Sequence, residues 1–137
     1  MANTSDDPPG VTFSQLRAYA LALPGVEEGT SYGTPAFRVK GKFFLRLKED
    51  GETIVLKTDF YERDHLMESD PAAFFTTDHY RDYPSVLVRL VAVRPAQLRA
   101  LVVDAWRRLA PRRLVEEHER GAEDPSSPPT PGAEGSR

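Results

Sequence analysis

Apolar residues near the start of the chain recur at helical spacing and then give way to alternation. Phe13, Leu16, Ala20 and Leu23 repeat every three or four positions, the period of one buried helical stripe. Thr12 and Gln15 form a T-x-x-Q capping box ahead of them, with Val11 and Leu16 placed for a hydrophobic staple. Pro24-Gly25 ends the helix, and VEEGTSYGTP reads as a loop. There Gly33 supplies a positive φ, and Pro35 opens a strand where no donor is required. AFRVK, KFFLRLK and ETIVLKT then predict three strands of an antiparallel meander, joined by tight turns at Gly41 and at Asp50-Gly51.

Strict alternation sends Phe37, Val39, Phe43, Leu45, Leu47, Ile54 and Leu56 to one face of that meander. It sends Arg38, Lys40, Lys42, Phe44, Arg46, Lys48, Thr53, Val55 and Lys57 to the other. Asp59 caps a short second helix, with Glu62 in its first turn and Leu66 and Met67 on its buried side. FFTT predicts a fourth strand, TDHYRDYP a polar aromatic loop, and SVLVRLVAV a fifth strand with Arg89 directed away from Val88 and Leu90. Pro95 opens a third helix with Leu98, Leu101, Val102, Ala105, Trp106 and Leu109 inward. Pro111 breaks or kinks it before Leu114, Val115 and His118 carry on. The order α-β3-α-β2-α predicts a two-layer α+β domain, with helices on one face of an antiparallel sheet and solvent on the other.

Length and composition narrow this reading. A chain of 137 residues is one domain by size. Residues 1–11 and 121–137, rich in Pro, Gly, Ser, Thr and Asp, are expected to be disordered flanks of a domain over 12–120. No apolar run approaches the roughly 20 residues that span a bilayer, and MANTSDDPPG lacks the features of a signal peptide, so a cytoplasmic protein without membrane contact is expected. The absence of cysteine excludes disulfides and thiolate chemistry. The formal net charge is -3, but residues 12–120 alone hold 17 basic and 16 acidic groups. Any affinity for a polyanion must therefore come from how charge is distributed.

One segment concentrates it. RVKGKFFLRLK holds five basic side chains and no acidic one. On an open sheet face, Arg38, Lys40, Lys42, Arg46 and Lys48, with Arg89, would meet phosphates, and Phe44 among them would stack on an unpaired base. The ordinary alternative is that a half-buried sheet needs polar residues on its wet side. A docking or homodimerisation surface is a second functional reading, with Phe44 and Val55 as apolar anchors. A third is a small-ligand or enzymatic pocket at Tyr32, His79, Tyr80 and Tyr83, although an Arg–Asp pair and tyrosine hydroxyls holding a loop also account for TDHYRDYP. No metal-ligand spacing, phosphate loop or nucleophile constellation is present, so no metal, cofactor or catalytic residue is assigned. Arg107, Arg108, Arg112 and Arg113 lie near a helix C-terminus, where the macrodipole favours cations without any ligand.

SYGTPAFRVKGKFF, TDHYRDYPSVLVRL and AWRRLAPRRL together resemble the MmcQ/YjbR family of small bacterial proteins, over roughly residues 12–117. The resemblance implies an α-β3-α-β2-α domain related to the secretion-chaperone-like and CyaY-like group. It also implies DNA binding through a "double wing" of β-hairpins, without an established catalytic activity. The expectation is a non-catalytic DNA-binding protein of low sequence specificity, since phosphate contacts carry no sequence information.

Overall fold

The computed structural model describes residues 8–123. Its first helix, α1 (Phe13–Leu21), begins as the capping box requires. The Thr12 hydroxyl accepts from the Gln15 N–H at 3.1 Å, and the Gln15 side chain accepts from the Thr12 N–H at 2.9 Å. The chain then forms β1 (Val26–Ser31), β2 (Thr34–Val39), β3 (Lys42–Leu47), β4 (Thr53–Lys57), α2 (Phe60–Ser69), β5 (Phe74–Phe75), β6 (Ser85–Arg89), α3 (Pro95–Leu109) and α4 (Arg112–Glu123). All strands pair antiparallel in one sheet of order β1-β2-β3-β4-β6-β5. The α+β class and the helix-covered face are as expected.

Three details differ from the sequence reading. VEEGTS is a strand rather than a loop, because the Tyr32-Gly33 turn folds it onto β2. Both central residues there are left-handed, at φ 54 and 81, and Lys40-Gly41 repeats this at φ 52 and 81. Two-residue turns of that hand match the twist of the strands they join, so each makes a tight hairpin. At Pro111, where a break or a kink was expected, the chain breaks: it stops being helical at Ala110 and resumes as α4, a separate helix of 12 residues where about two turns were expected. The α4 helix packs closely enough on the α1–β1 corner that a Cβ on Gly25 (φ 77) would stand 2.6 Å from the Leu114 Cδ1. Finally, the folded part reaches further at each end than 12–120. Gly10 and Val11 donate backbone hydrogen bonds to Val93 and Leu90 at 2.8 and 2.7 Å, Val11 is buried, and residues 121–123 are helical. The remainder of the expected disordered flanks lies outside the described residues.

The core lies between the helices and the inner sheet face. Phe37, Val39, Leu45, Ile54, Leu56, Val86 and Val88 meet Leu16 and Ala20 of α1 and Leu98, Val102, Ala105 and Trp106 of α3. The buried Trp106 indole donates to the Pro24 carbonyl at 2.9 Å, which ties α3 to the end of α1. Asp59 caps α2 as expected, accepting from the Glu62 N–H at 2.7 Å and from Arg108 at 2.8 Å. The backbone hydrogen bond from Glu62, then Arg108, holds its carboxyl below the ordinary value. Among the described residues no helix is long and apolar enough to cross a membrane.

Asp50 clamps the β3–β4 turn. Its carboxylate accepts from the N–H groups of Glu52 and Thr53, both at 2.9 Å, and from the Thr53 hydroxyl at 2.8 Å. Slight burial pushes this carboxyl up, but the Glu52 and Thr53 hydrogen bonds and the Lys48 charge outweigh it and leave it below its ordinary value. A lowered folded value gives stability that is present above the unfolded aspartate range and lost as pH falls through the folded value. Asp50→Ala is therefore expected to cost about 1 kcal/mol near neutrality, with the gap to the wild type narrowing below about pH 4. Urea denaturation at neutral and acid pH measures both numbers.

Candidate functional site

The second sheet face is organised by a β-bulge. Phe37 pairs with Leu45 and Arg38 pairs with Phe43, so Phe44 is an extra residue on β3. Side chains on either side of a bulge lose strict alternation. Phe44 consequently turns inward and is fully buried in the core, while Phe43 stands beside Arg38 on the outer face. This corrects the expected placement of both phenylalanines. Phe44 is neither a platform for a base nor an anchor for a partner, and Val55, 2 % exposed, is no anchor either.

Nor is the face open. The segment between β5 and β6, residues 76–84, lies back across it over the buried side chains of Val55 and Leu87. Arg46 was expected at the surface but is 6 % exposed. Its guanidinium donates to the Tyr80 hydroxyl at 3.0 Å and to the Thr34 hydroxyl and the Leu47 carbonyl, both at 3.2 Å. It also lies 3.6 Å from a Glu49 carboxylate oxygen and 5.1 Å from the centre of the Tyr32 ring. Lys48 sits 5.4 Å over the Tyr80 ring, and His79 meets that ring edge-on at 4.7 Å. The segment is fixed from below by Arg63 of α2, which is buried and donates to the carbonyls of Arg81 at 2.8 Å and Tyr83 at 3.3 Å. The Arg63 guanidinium also stacks 5.0 Å over the Phe60 ring.

Between this segment and the β1–β2 turn lies a cavity of about 410 Å³. Arg38, Arg46 and Lys57 bring cations to it, and Tyr32, Phe43, His79, Tyr80 and Tyr83 bring rings. Among the described residues no carboxylate lines it. Arg46 is engaged as described. Arg38 and Lys57 are half-buried, and among the described residues neither has a hydrogen bond or ion pair. Glu27 stands opposite Arg38 in the β1–β2 register, outside the lining, and forms no ion pair with it. Ser85 closes the far side, its hydroxyl buried and without a hydrogen-bond partner.

The expected nucleic-acid residues are thus divided among several places. Arg38 and Arg46 enter the cavity, Lys48 rests on Tyr80, and Lys40 and Lys42 are exposed at the tip of the β2–β3 hairpin. Arg89 lies elsewhere on the sheet, 4.0 Å over the Phe75 ring and donating to the Ala72 and Pro71 carbonyls at 3.0 and 3.4 Å. The four residues singled out as a pocket, Tyr32, His79, Tyr80 and Tyr83, all line the one cavity. Sequence reasoning did not assign Phe43, Lys57, Ser85 or Arg63 to a site. Lys57 was legible from alternation, but Phe43 required knowledge of the bulge, and Arg63 carried no signal apart from its place on the helix face shared with Leu66.

Comparisons with known proteins agree with this architecture. The family model described as YjbR matches residues 21–108. The uncharacterized proteins Rv2570 of Mycobacterium tuberculosis and Mb2600 of Mycobacterium bovis are each 41% identical over 51 residues, 37% of this chain and 40% of theirs. The match therefore spans less than half the length of these curated relatives. In structure, the chain is similar to Deinococcus radiodurans protein DR2400, whose crystal structure carries the family-model domain DUF419. The TM-score is 0.63 at 22% identity, over 73% of this chain and 79% of that one, a likeness of fold.

The role of Arg63 as the underside anchor can be measured. Removing it leaves two carbonyls without their charged donor, so Arg63→Met is expected to destabilise the domain by about 2 kcal/mol. Hydrogen exchange should accelerate at the amides of Tyr80, Arg81, Tyr83 and Ser85 well beyond those of α3.

Proposed function

The chain belongs to the YjbR family, and from that premise we propose that it is a small cytoplasmic binding protein whose basin takes an anion carrying a flat apolar body. The observation that carries this reading is the pair Arg38 and Lys57, two half-buried cations that form no ion pair among the described residues. A cation withdrawn from water without a counter-charge is unfavourable, and an anionic ligand relieves that cost. The rings around them suit a planar body, because aromatic faces attract both flat apolar groups and cations. Pockets for small ligands run from about 300 to 1,000 Å³, and this one falls within that range. Arg46, braced by the Tyr80 and Thr34 hydroxyls, supplies positive potential on the floor without reorganising.

Nucleic-acid binding is a second reading, favoured by a specific observation. Lys40 and Lys42 are exposed at the tip of the hairpin that carries Arg38. A single strand placed there would set phosphates on the lysines and one unpaired base among Tyr32, Phe43 and Tyr83, with little sequence preference. Duplex DNA gains less support, because Arg46 and Phe44 are withdrawn from the surface that it would lie on.

The test is a titration of aryl carboxylates and aryl phosphates, followed by calorimetry, beside anisotropy of labelled single- and double-stranded oligonucleotides at about 50 and 200 mM salt. The small aryl anions are expected to bind the wild type and to lose at least tenfold in affinity in Arg38→Ala and Lys57→Ala. If only oligonucleotides bind, with steep salt dependence and loss in Lys40→Glu/Lys42→Glu, the second reading replaces the first.

A further inference from the structure

The register across the second face gives the basin a direction. Arg38 on β2 pairs with Phe43 on β3, and Lys57 on β4 pairs with Ser85 on β6. Arg46 pairs with Val55 one row further along, and Lys57 lies two residues beyond Val55 on the same face. Arg38, Phe43, Lys57 and Ser85 therefore share one face across four adjacent strands, and all four line the basin. Strands stand about 4.8 Å apart, so the backbones bearing the two free cations are roughly 10 Å apart, a span that two long side chains close easily. Phe43 lies between them as a floor.

Charge then discriminates among anions. The Arg46 charge is shared with Glu49 and the Tyr80 hydroxyl, which leaves the Arg38 and Lys57 charges unmatched. A monocarboxylate offsets one of these. A phosphate monoester carries about -1.5 to -2 at neutral pH, offsets both, and presents three acceptor oxygens. The face offers three kinds of donor, namely the Arg38 fork, the Lys57 ammonium and, buried behind them, the unpartnered Ser85 hydroxyl. Two exposed rings, Tyr32 and Tyr83, at 82% and 57% exposure, stand at the mouth where the rest of the ligand would emerge.

We infer that the basin binds a phosphomonoester on an aromatic body, of the size and chemistry of a nucleoside monophosphate, with the phosphate held between Arg38, Lys57 and Ser85. The inference rests on the small-anion reading above and narrows it.

Matched probes separate the two. 1-Naphthyl phosphate and 1-naphthoate share a body and differ in the anionic group, and adenosine 5′-monophosphate beside adenosine repeats the comparison in biological form. By calorimetry at about pH 7.5, the naphthyl phosphate is expected to bind at least tenfold more tightly than the naphthoate, and the nucleotide more tightly than the nucleoside. The phosphate's second proton binds near pH 6, so the advantage should shrink at about pH 5. His79 and the neighbouring tyrosines in the lining and Glu27 face both probes; positive charge on the protein favours the more highly charged phosphate, so a shrinking advantage at lower pH tracks the ligand's own proton. Ser85→Ala should reduce the phosphate's advantage several-fold with little effect on naphthoate. Glu27→Gln, a change at an exposed position, should tighten both probes. Equal binding of the two naphthyl compounds, or tighter binding of the carboxylate, overturns the phosphate inference and leaves the small-anion reading standing. Binding of neither, by a chain that unfolds cooperatively, overturns both.

Discussion

One surplus residue on β3 decides what each face of this sheet is. Without the bulge, Phe43 would enter the core and Phe44 would lie among the cations. With it, Phe44 completes the packing beneath α3, and Phe43 becomes the apolar floor between Arg38 and Lys57. The position is therefore constrained from both sides. A bulge here increases the local twist and re-aims a side chain, which is how sheets commonly open space for a site without a break in the ladder. The apolar content of KFFLRLK is shared between core and basin by backbone geometry rather than by composition.

Two buried arginines do the rest, and both hydrogen-bond to neutral hydroxyl or carbonyl oxygens, with a carboxylate only at 3.6 Å. Arg63 ties the 76–84 segment down through main-chain carbonyls, and Arg46 meets it from the sheet through the Tyr80 hydroxyl. A charge-assisted hydrogen bond to a neutral acceptor is strong but leaves the positive charge in place. Arg46, which lines the basin, thus keeps part of its potential there while its guanidinium is held in place. Full pairing with aspartate or glutamate would have held the segment equally well and cancelled the field.

Much of the frame could be read directly from residues. The Thr12–Gln15 box, the Asp59 cap, the Lys40-Gly41 turn and the α3 stripe are local signals whose physics lies within a few positions, and each is where the pattern placed it. The strand β1 escaped because VEEGTS has almost no apolar alternation; as an edge strand with four exposed residues it needs none. The basin was only partly legible. TDHYRDYP was recognisable as an aromatic polar cluster, and Tyr32 as a companion, but their meeting over β3 depends on a fold-back held by Arg63 from another element. Alternation also predicted a continuous cationic face, and it failed at the bulge, where its assumption of one residue per position fails.

The hydrogen bond from the Trp106 indole to the Pro24 carbonyl joins residues 82 positions apart. On a ribosome adding about 5–20 residues per second, that interval takes on the order of ten seconds. The first four strands are made within it, and until α3 emerges α1 and their inner faces exist without the helix that covers them. The hairpins, closed by two-residue turns, can form as they emerge, but the core cannot close until the last third of the chain has been made. Nascent chains of this protein therefore carry an uncovered apolar sheet face from the end of β4 until α3 is made, and that face is open to non-native contacts in the meantime.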